Sequence, residues 1–228
     1  MLHSAFLPLK ASLLQAANFA RSVPMERYMK NKFAFLGIPA TERRDIFKQW
    51  KQEHKHLKKT DWLELIENCW QQEEREFQYC ALDMLSQLRK KWSETDIEWL
   101  ERLIVTKSWW DTVDALAVHG LGAWIRHFPE KQEETCRAFY ESGNLWLQRS
   151  VLIHQLQFKQ QTNTDLLLYY IEQLASHRDF FIRKAIGWAL RQLSSSQPEI
   201  VIKFVKTHTL SPLSEKEALR KLKRPFLS

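Results

Sequence analysis

Large aromatic residues return along this chain at a near-constant interval. The segments Glu76-Phe77-Gln78-Tyr79, Ser108-Trp109-Trp110-Asp111, Leu145-Trp146-Leu147-Gln148 and Phe180-Phe181-Ile182-Arg183 each open a helical stretch with a bulky ring, and Phe77, Trp109, Trp146 and Phe181 are 32, 37 and 35 residues apart. A two-helix unit that recurs every 35 to 40 residues or so marks a helical-repeat solenoid, in which each unit buries its apolar face on the next. No tetratricopeptide pattern is present, so the expected fold is all-α: a HEAT-like superhelix forming a single repeat domain over residues 1–228, with a basic concave groove. Five glycines and seven prolines supply little turn chemistry, and no alternating Val/Ile/Thr runs bounded by Asn-Gly or Asp-Gly support a β fold.

The helical period predicts a first helix over 3–20 and a second starting at Pro24 and stopped by Gly37. A third is capped by Thr41 and runs to about Lys51, a basic loop spans 51–59, and a fourth helix runs from Thr60 to Trp70. Further helices are expected near 73–91, 93–105 (capped by Ser93 with Asp96), 108–127, 130–142, 145–160, 164–176, 179–195, 198–208 and 214–224, the last with a capping box of Ser214 and Glu217.

The net charge of +7, with a pI near 9.3, points to an anionic partner. Lysine and arginine are spread along the chain, so the charge is not a tail effect. Nucleic acid and an acidic membrane surface both fit the charge; a protein-binding scaffold is the competing role for a solenoid. No apolar run is long enough to span a bilayer. Three cysteines without a Cys-x-x-Cys and eight histidines without ligand spacing suggest no metal or other cofactor and a reducing, cytoplasmic setting. A metal-dependent nuclease is disfavoured because no carboxylate cluster has convincing ligand spacing. The first 25 residues carry Lys10 and Arg21 but no acid. That composition fits a transit peptide, and equally an amphipathic helix docked on the next one.

The stretch Thr106 to Asp114 concentrates chemistry. Ser108 reads as a helix N-cap, with Asp111 as its capping-box partner. Trp110 and Asp114 are four residues apart, which puts a flat ring beside a carboxylate on one face. Such a pair suits a substrate that is cationic or becomes so in the transition state; the same spacing also fits core tryptophans beside a solvated or salt-bridged acid. Asp114, Arg149 and Lys184 are spaced equally, at 35 residues, which would place them at equivalent positions of successive repeats. The aromatic spacing disagrees with that register by two residues for the first pair. Lys184, Trp188 and Arg191 share one helix face, so together with Arg149 they would form an electrostatic track with stacking platforms; solvated cations and a core Trp188 are the plainer reading.

These stretches resemble the bacterial HEAT-like-repeat alkylpurine DNA glycosylases of the AlkD type. The resemblance runs in family order through Arg27-Tyr-Met-Lys-Asn-Lys-Phe-Ala-Phe-Leu-Gly-Ile38, Glu74-Arg-Glu-Phe-Gln-Tyr-Cys-Ala-Leu-Asp83, Ile104-Val-Thr-Lys-Ser-Trp-Trp-Asp-Thr-Val-Asp114, Asn144-Leu-Trp-Leu-Gln-Arg149 and Phe180-Phe-Ile-Arg-Lys-Ala-Ile-Gly-Trp188. It implies a monomeric DNA repair enzyme that hydrolyses the N-glycosidic bond of N3- and N7-alkylated purines in duplex DNA and leaves an abasic site. The implied catalytic residue is Asp114. The implied DNA contacts are Trp110, Trp188, Arg149 and Tyr28, and Lys184, Arg191, Arg43 and Lys107 extend the set. The sequence departs from the family pattern at Pro39-Ala40-Thr41, so contacts at that corner are not carried over. A non-catalytic HEAT-like DNA-binding protein, which would not need Asp114, and a protein scaffold are the alternatives.

Overall fold

In the computed structural model, residues 2–222 are described. They form an all-α helical-repeat structure with no strand among them, divided into two compact units, Met1–Trp92 and Ser93–Ser228. The first unit holds α1 (Phe6–Gln15), α2 (Phe19–Tyr28), α3 (Ala40–Glu53), α4 (Lys59–Gln71) and α5 (Arg75–Met84). The second holds α6 (Asp96–Val105), α7 (Trp110–Ala115), a π-helical turn (Leu116–Leu121) running into α8 (Gly122–His127), and then α9 (Gln132–Glu141), α10 (Leu145–Ile153), α11 (Thr164–Gln173), α12 (Phe180–Leu193), α13 (Pro198–Thr207) and α14 (Pro212–Ala218).

The repeat is read most clearly from where alternate helices begin. The helices α3, α5, α7, α10 and α12 open at residues 40, 75, 110, 145 and 180. Their partners α4, α6, α9 and α11 open at 59, 96, 132 and 164, at uneven intervals. The equal spacing of Asp114, Arg149 and Lys184 is therefore the true register, since each is the fifth residue of its helix. The aromatic spacing misleads because Trp109 precedes α7 while Trp146 is the second residue of α10 and Phe77 the third of α5.

In the first unit, α1 packs on α3 and α4, and α4 on α5. Phe6, Leu9, Leu13, Leu65, Ile66, Phe77 and Met84 form a core with no exposed surface. The second helix differs from expectation. Asn18 accepts a hydrogen bond from the Arg21 N–H at 3.2 Å, so α2 starts early, contains Pro24, and ends at Tyr28. The residues that follow turn through left-handed Lys30 and Asn31. The buried Glu76 carboxylate accepts the Leu36, Gly37 and Ile38 N–H groups at 2.9, 2.9 and 3.1 Å. Gly37 is not a helix stop. It lies at φ +82°, where an added Cβ would sit 2.1 Å from the Asn18 carbonyl oxygen. The expected loop at 51–59 is partly helix, because α3 runs to Glu53, and the expected helix at 73–91 gives way after Met84 to a 3₁₀ turn at Leu85–Gln87.

In the second unit, α10 packs on α7, α9, α11 and α12, and α12 packs on α14. Side-chain caps set several starts: Asn144 accepts from the Trp146 and Leu147 N–H groups, and Asp179 from that of Phe181 at 2.6 Å. The last described helix is capped by Ser211 rather than Ser214, and the predicted extension to residue 224 lies partly outside the described residues. Ser108 does not cap α7. Its hydroxyl donates to the Ile104 carbonyl at 2.6 Å and so finishes α6. The chain then turns through left-handed Lys107 and extended Trp109 into α7. Trp109, Trp146 and Phe181 pack together at the starts of α7, α10 and α12, with ring centroids 4.9–5.7 Å apart.

Contact between α12 and α14 is closest at Gly187, where an added Cβ would lie 2.5 Å from Glu217 Cβ and 2.8 Å from the Ser214 carbonyl oxygen. Helix propensity alone favours alanine over glycine by about 1 kcal/mol. Overpacking typically costs about 1–3 kcal/mol, so Gly187→Ala is expected to lower the urea midpoint. A raised midpoint would mean that α14 yields freely.

Candidate functional site

Four helical turns on α7 and α12 build the candidate site. Trp110 opens α7 and Asp114 follows one turn later on the same face. Trp188 and Gln192 project one turn apart from α12. Together with Asp111, Ala115, Val118, His119, Leu156 and Gln157 they line an open cleft of about 560 Å³. The cleft has two indoles, two carboxylates, an imidazole and two carboxamides in its lining.

Asp114 is held firmly. Arg149 on α10 donates to it through one edge of the guanidinium, Nε to Oδ1 at 2.7 Å and Nη2 to Oδ2 at 2.8 Å. The remaining Nη1 donates to the Phe181 carbonyl. This fork is the strong, orienting form of a carboxylate contact. The Arg149 side chain is 4% exposed and that of Asp114 19%. Burial pushes the Asp114 carboxyl above its ordinary value. The Arg149 hydrogen bonds and charge pull in the opposite direction, and Asp111 adds to the rise. The carboxylate still has acceptor positions beyond the two that Arg149 fills.

The predicted site residues separate into groups. Asp114, Trp110 and Trp188 come together at the cleft. Arg149 also arrives there, as a buried partner of Asp114. Lys184 and Arg191 flank Trp188 on α12, and both pair with Glu217 on α14. Lys107 is half-buried in the turn before α7. In the first unit, Tyr28 is 71% exposed at the end of α2. Arg43 is a correction: it is buried on α3, ion-paired with Asp83, with its guanidinium carbon 5.5 Å from the centre of the Tyr79 ring. It therefore supports the fold instead of offering charge to a ligand.

Several cleft residues went unnoticed in the sequence. Gln192 had a signal, since it follows Trp188 by one turn. His119 reaches the cleft from the π-helical turn, a widening that recurs at functional sites and changes which residues share a face. Leu156 and Gln157 come from the turn after α10. That turn is held by Arg126, which donates to the Gln157 carbonyl and stacks on the Phe158 ring, its guanidinium carbon 4.4 Å from the ring centre.

A repeat of paired helices with a tryptophan-walled carboxylate cleft defines a helical-repeat protein built around a polar site. The family described as DNA alkylation repair enzyme matches residues 9–222, and the chain belongs to it. A solved structure described as a predicted DNA alkylation repair enzyme from Enterococcus faecalis is similar, with a TM-score of 0.85 and 35% sequence identity over 92% of this chain and 98% of that one. No curated protein matches the chain. The family indicates enzymatic repair of alkylated DNA. Among the described residues no helix is long and apolar enough to cross a membrane.

The fork between Asp114 and Arg149 makes a strong prediction. Removing one member of a buried pair leaves an uncompensated charge and costs about 3–5 kcal/mol. Arg149→Met should therefore be strongly destabilised. The Asp114→Asn/Arg149→Met double variant should lose less than the sum of the single changes. A urea-denaturation cycle that came out additive within about 0.5 kcal/mol would show that the two residues are not coupled.

Proposed function

We propose that this protein is a monofunctional DNA glycosylase, a hydrolase of N-glycosyl bonds, excising positively charged N3- or N7-alkylated purines from duplex DNA. The observation that carries this reading is the Asp114 carboxylate, fixed by Arg149 and facing a cleft between Trp110 and Trp188. Alkylation at N3 or N7 gives the purine a positive charge, so the base is a good leaving group without strong acid catalysis. As the C1′–N9 bond breaks, its electron pair passes to the purine and neutralises that charge. The sugar becomes an oxocarbenium-like cation. Water then bonds to C1′ and loses a proton, giving the abasic sugar and the free base.

Asp114 suits the step in which positive charge builds on the sugar. A preorganised carboxylate stabilises that charge without having to reorient. The indole faces of Trp110 and Trp188 favour a cation and pack well against deoxyribose. Arg149 acts through Asp114 as a positioning residue. Tyr28 and Lys107 are further candidates for backbone contact.

Free-base release from a duplex carrying N7-methylguanine tests this reading. Asp114→Asn should still bind the duplex but release base about 10²–10³-fold more slowly. Equal release by the two proteins would remove Asp114 from the chemistry. Release by neither, with salt-sensitive binding by both, would leave a non-catalytic DNA-binding protein.

The pH dependence follows from the raised Asp114 pKa. The ionised form is the active one, so the rate of release should rise with pH, and the midpoint of this acidic limb should lie above the ordinary aspartate value. Stability should move in the opposite sense. The folded protein binds this proton more tightly than the unfolded chain does, so Asp114 lowers stability as pH rises from the unfolded pKa through the folded one. Asp114→Asn should remove both effects. An unchanged rate limb in that variant would assign the titration to another group.

A further inference from the structure

One carboxylate bridges the two cations that flank Trp188. Lys184 Nζ donates to Glu217 Oε1 at 2.8 Å, and Arg191 Nη1 donates to Glu217 Oε2. Lys184 precedes Trp188 by one turn of α12 and Arg191 follows it by one, so the bridge runs alongside the helix position that forms a wall of the cleft. The Glu217 side chain is only 12% exposed, whereas Lys184 keeps 39% and Arg191 21% of theirs in solvent. The absence of a side chain at Gly187 lets α14 bring Glu217 this close. The hydrogen bond from Lys184 and the charges of Lys184, Arg191 and Arg220 outweigh burial and hold the Glu217 carboxyl below its ordinary range, so it carries its full charge near neutral pH.

We propose that Glu217 offsets part of the charge that Lys184 and Arg191, already candidate DNA contacts, offer to one backbone phosphate, and so limits how tightly undamaged DNA is held. This rests on the duplex-DNA reading above. Lys184, Arg191 and one carboxylate leave a net positive charge, to which nearby Arg220 adds, enough to favour a phosphodiester monoanion. An ammonium has three donors and a guanidinium five, so both cations can keep Glu217 and still turn a donor to a phosphate oxygen. A weak phosphate grip leaves more of the discrimination between damaged and undamaged DNA to Trp110, Trp188 and Asp114, which face the lesion.

The test is fluorescence anisotropy with a labelled undamaged duplex over a range of sodium chloride concentrations. Glu217→Gln should bind about three- to tenfold more tightly than wild type at low salt. Its plot of log affinity against log salt should be steeper by up to about 0.9, the value of one phosphate contact. Lys184→Gln should bind more weakly, with a shallower slope, and should abolish the gain when combined with Glu217→Gln. If wild type binds with clear salt dependence and neither single variant changes affinity or slope, the proposal is wrong. If wild type shows no salt-sensitive binding at all, the DNA reading itself fails. Should circular dichroism show Glu217→Gln to be unfolded, Lys184→Gln decides alone, and an affinity equal to wild type overturns the proposal.

Discussion

The second unit is organised around the ion pair between Asp114 and Arg149. Burying two charges is costly, and the cost is offset only where geometry is good and the remaining donors are satisfied. Both conditions hold. The guanidinium meets both carboxylate oxygens, and its third nitrogen is taken by the Phe181 carbonyl. One arginine on α10 thereby ties α7 on one side to α12 on the other. The cluster of Trp109, Trp146 and Phe181 packs the starts of the same three helices. The wall that carries Asp114 and Trp110 and the wall that carries Trp188 are consequently set by the same few contacts.

The charge of the chain is less available than its total suggests. A net charge of +7 describes the whole sequence, but several cations expected to face a ligand are engaged within the protein. Arg43 pairs with Asp83, Arg149 with Asp114, and Lys184 and Arg191 with Glu217. The partners in these pairs are separated by 40, 35, 33 and 26 residues, three of the four close to one repeat. Neighbouring repeats bring facing helices side by side, at equivalent positions for Asp114 and Arg149, so opposite charges about one repeat apart readily find each other. Periodic charge in a helical array is therefore as much a device for joining repeats as for attracting a polyanion.

Much of the fold was legible in the sequence because helical periodicity and repeat length are local or near-local signals. The grouping of Trp110, Asp114 and Trp188 followed from helical spacing and from the family resemblance. What was not legible depended on distant partners. The boundary of α2 is decided partly by Glu76, some 40 residues away, which collects the N–H groups that a longer helix would have used. Arg149 looks the same on paper whether it meets a phosphate or a buried carboxylate; only the packing of α10 between α7 and α12 decides. The π-helical turn that brings His119 to the cleft has no compositional mark, and Leu156 and Gln157 reach it from a turn whose course no periodicity describes.

Helix starts at 110, 145 and 180 keep an even pace while those at 96, 132 and 164 do not. Residues have thus been traded between each partner helix and its flanking turns without altering the count from α7 to α10 or from α10 to α12. Adding a single residue inside α7 or α10 would swing everything beyond it by about 100° around the axis and carry the carboxylate or its arginine off the shared face. Relatives of different length should therefore differ in the partner helices and their turns, and the chemistry can persist through insertions and deletions because it resides on the helices whose phase cannot drift.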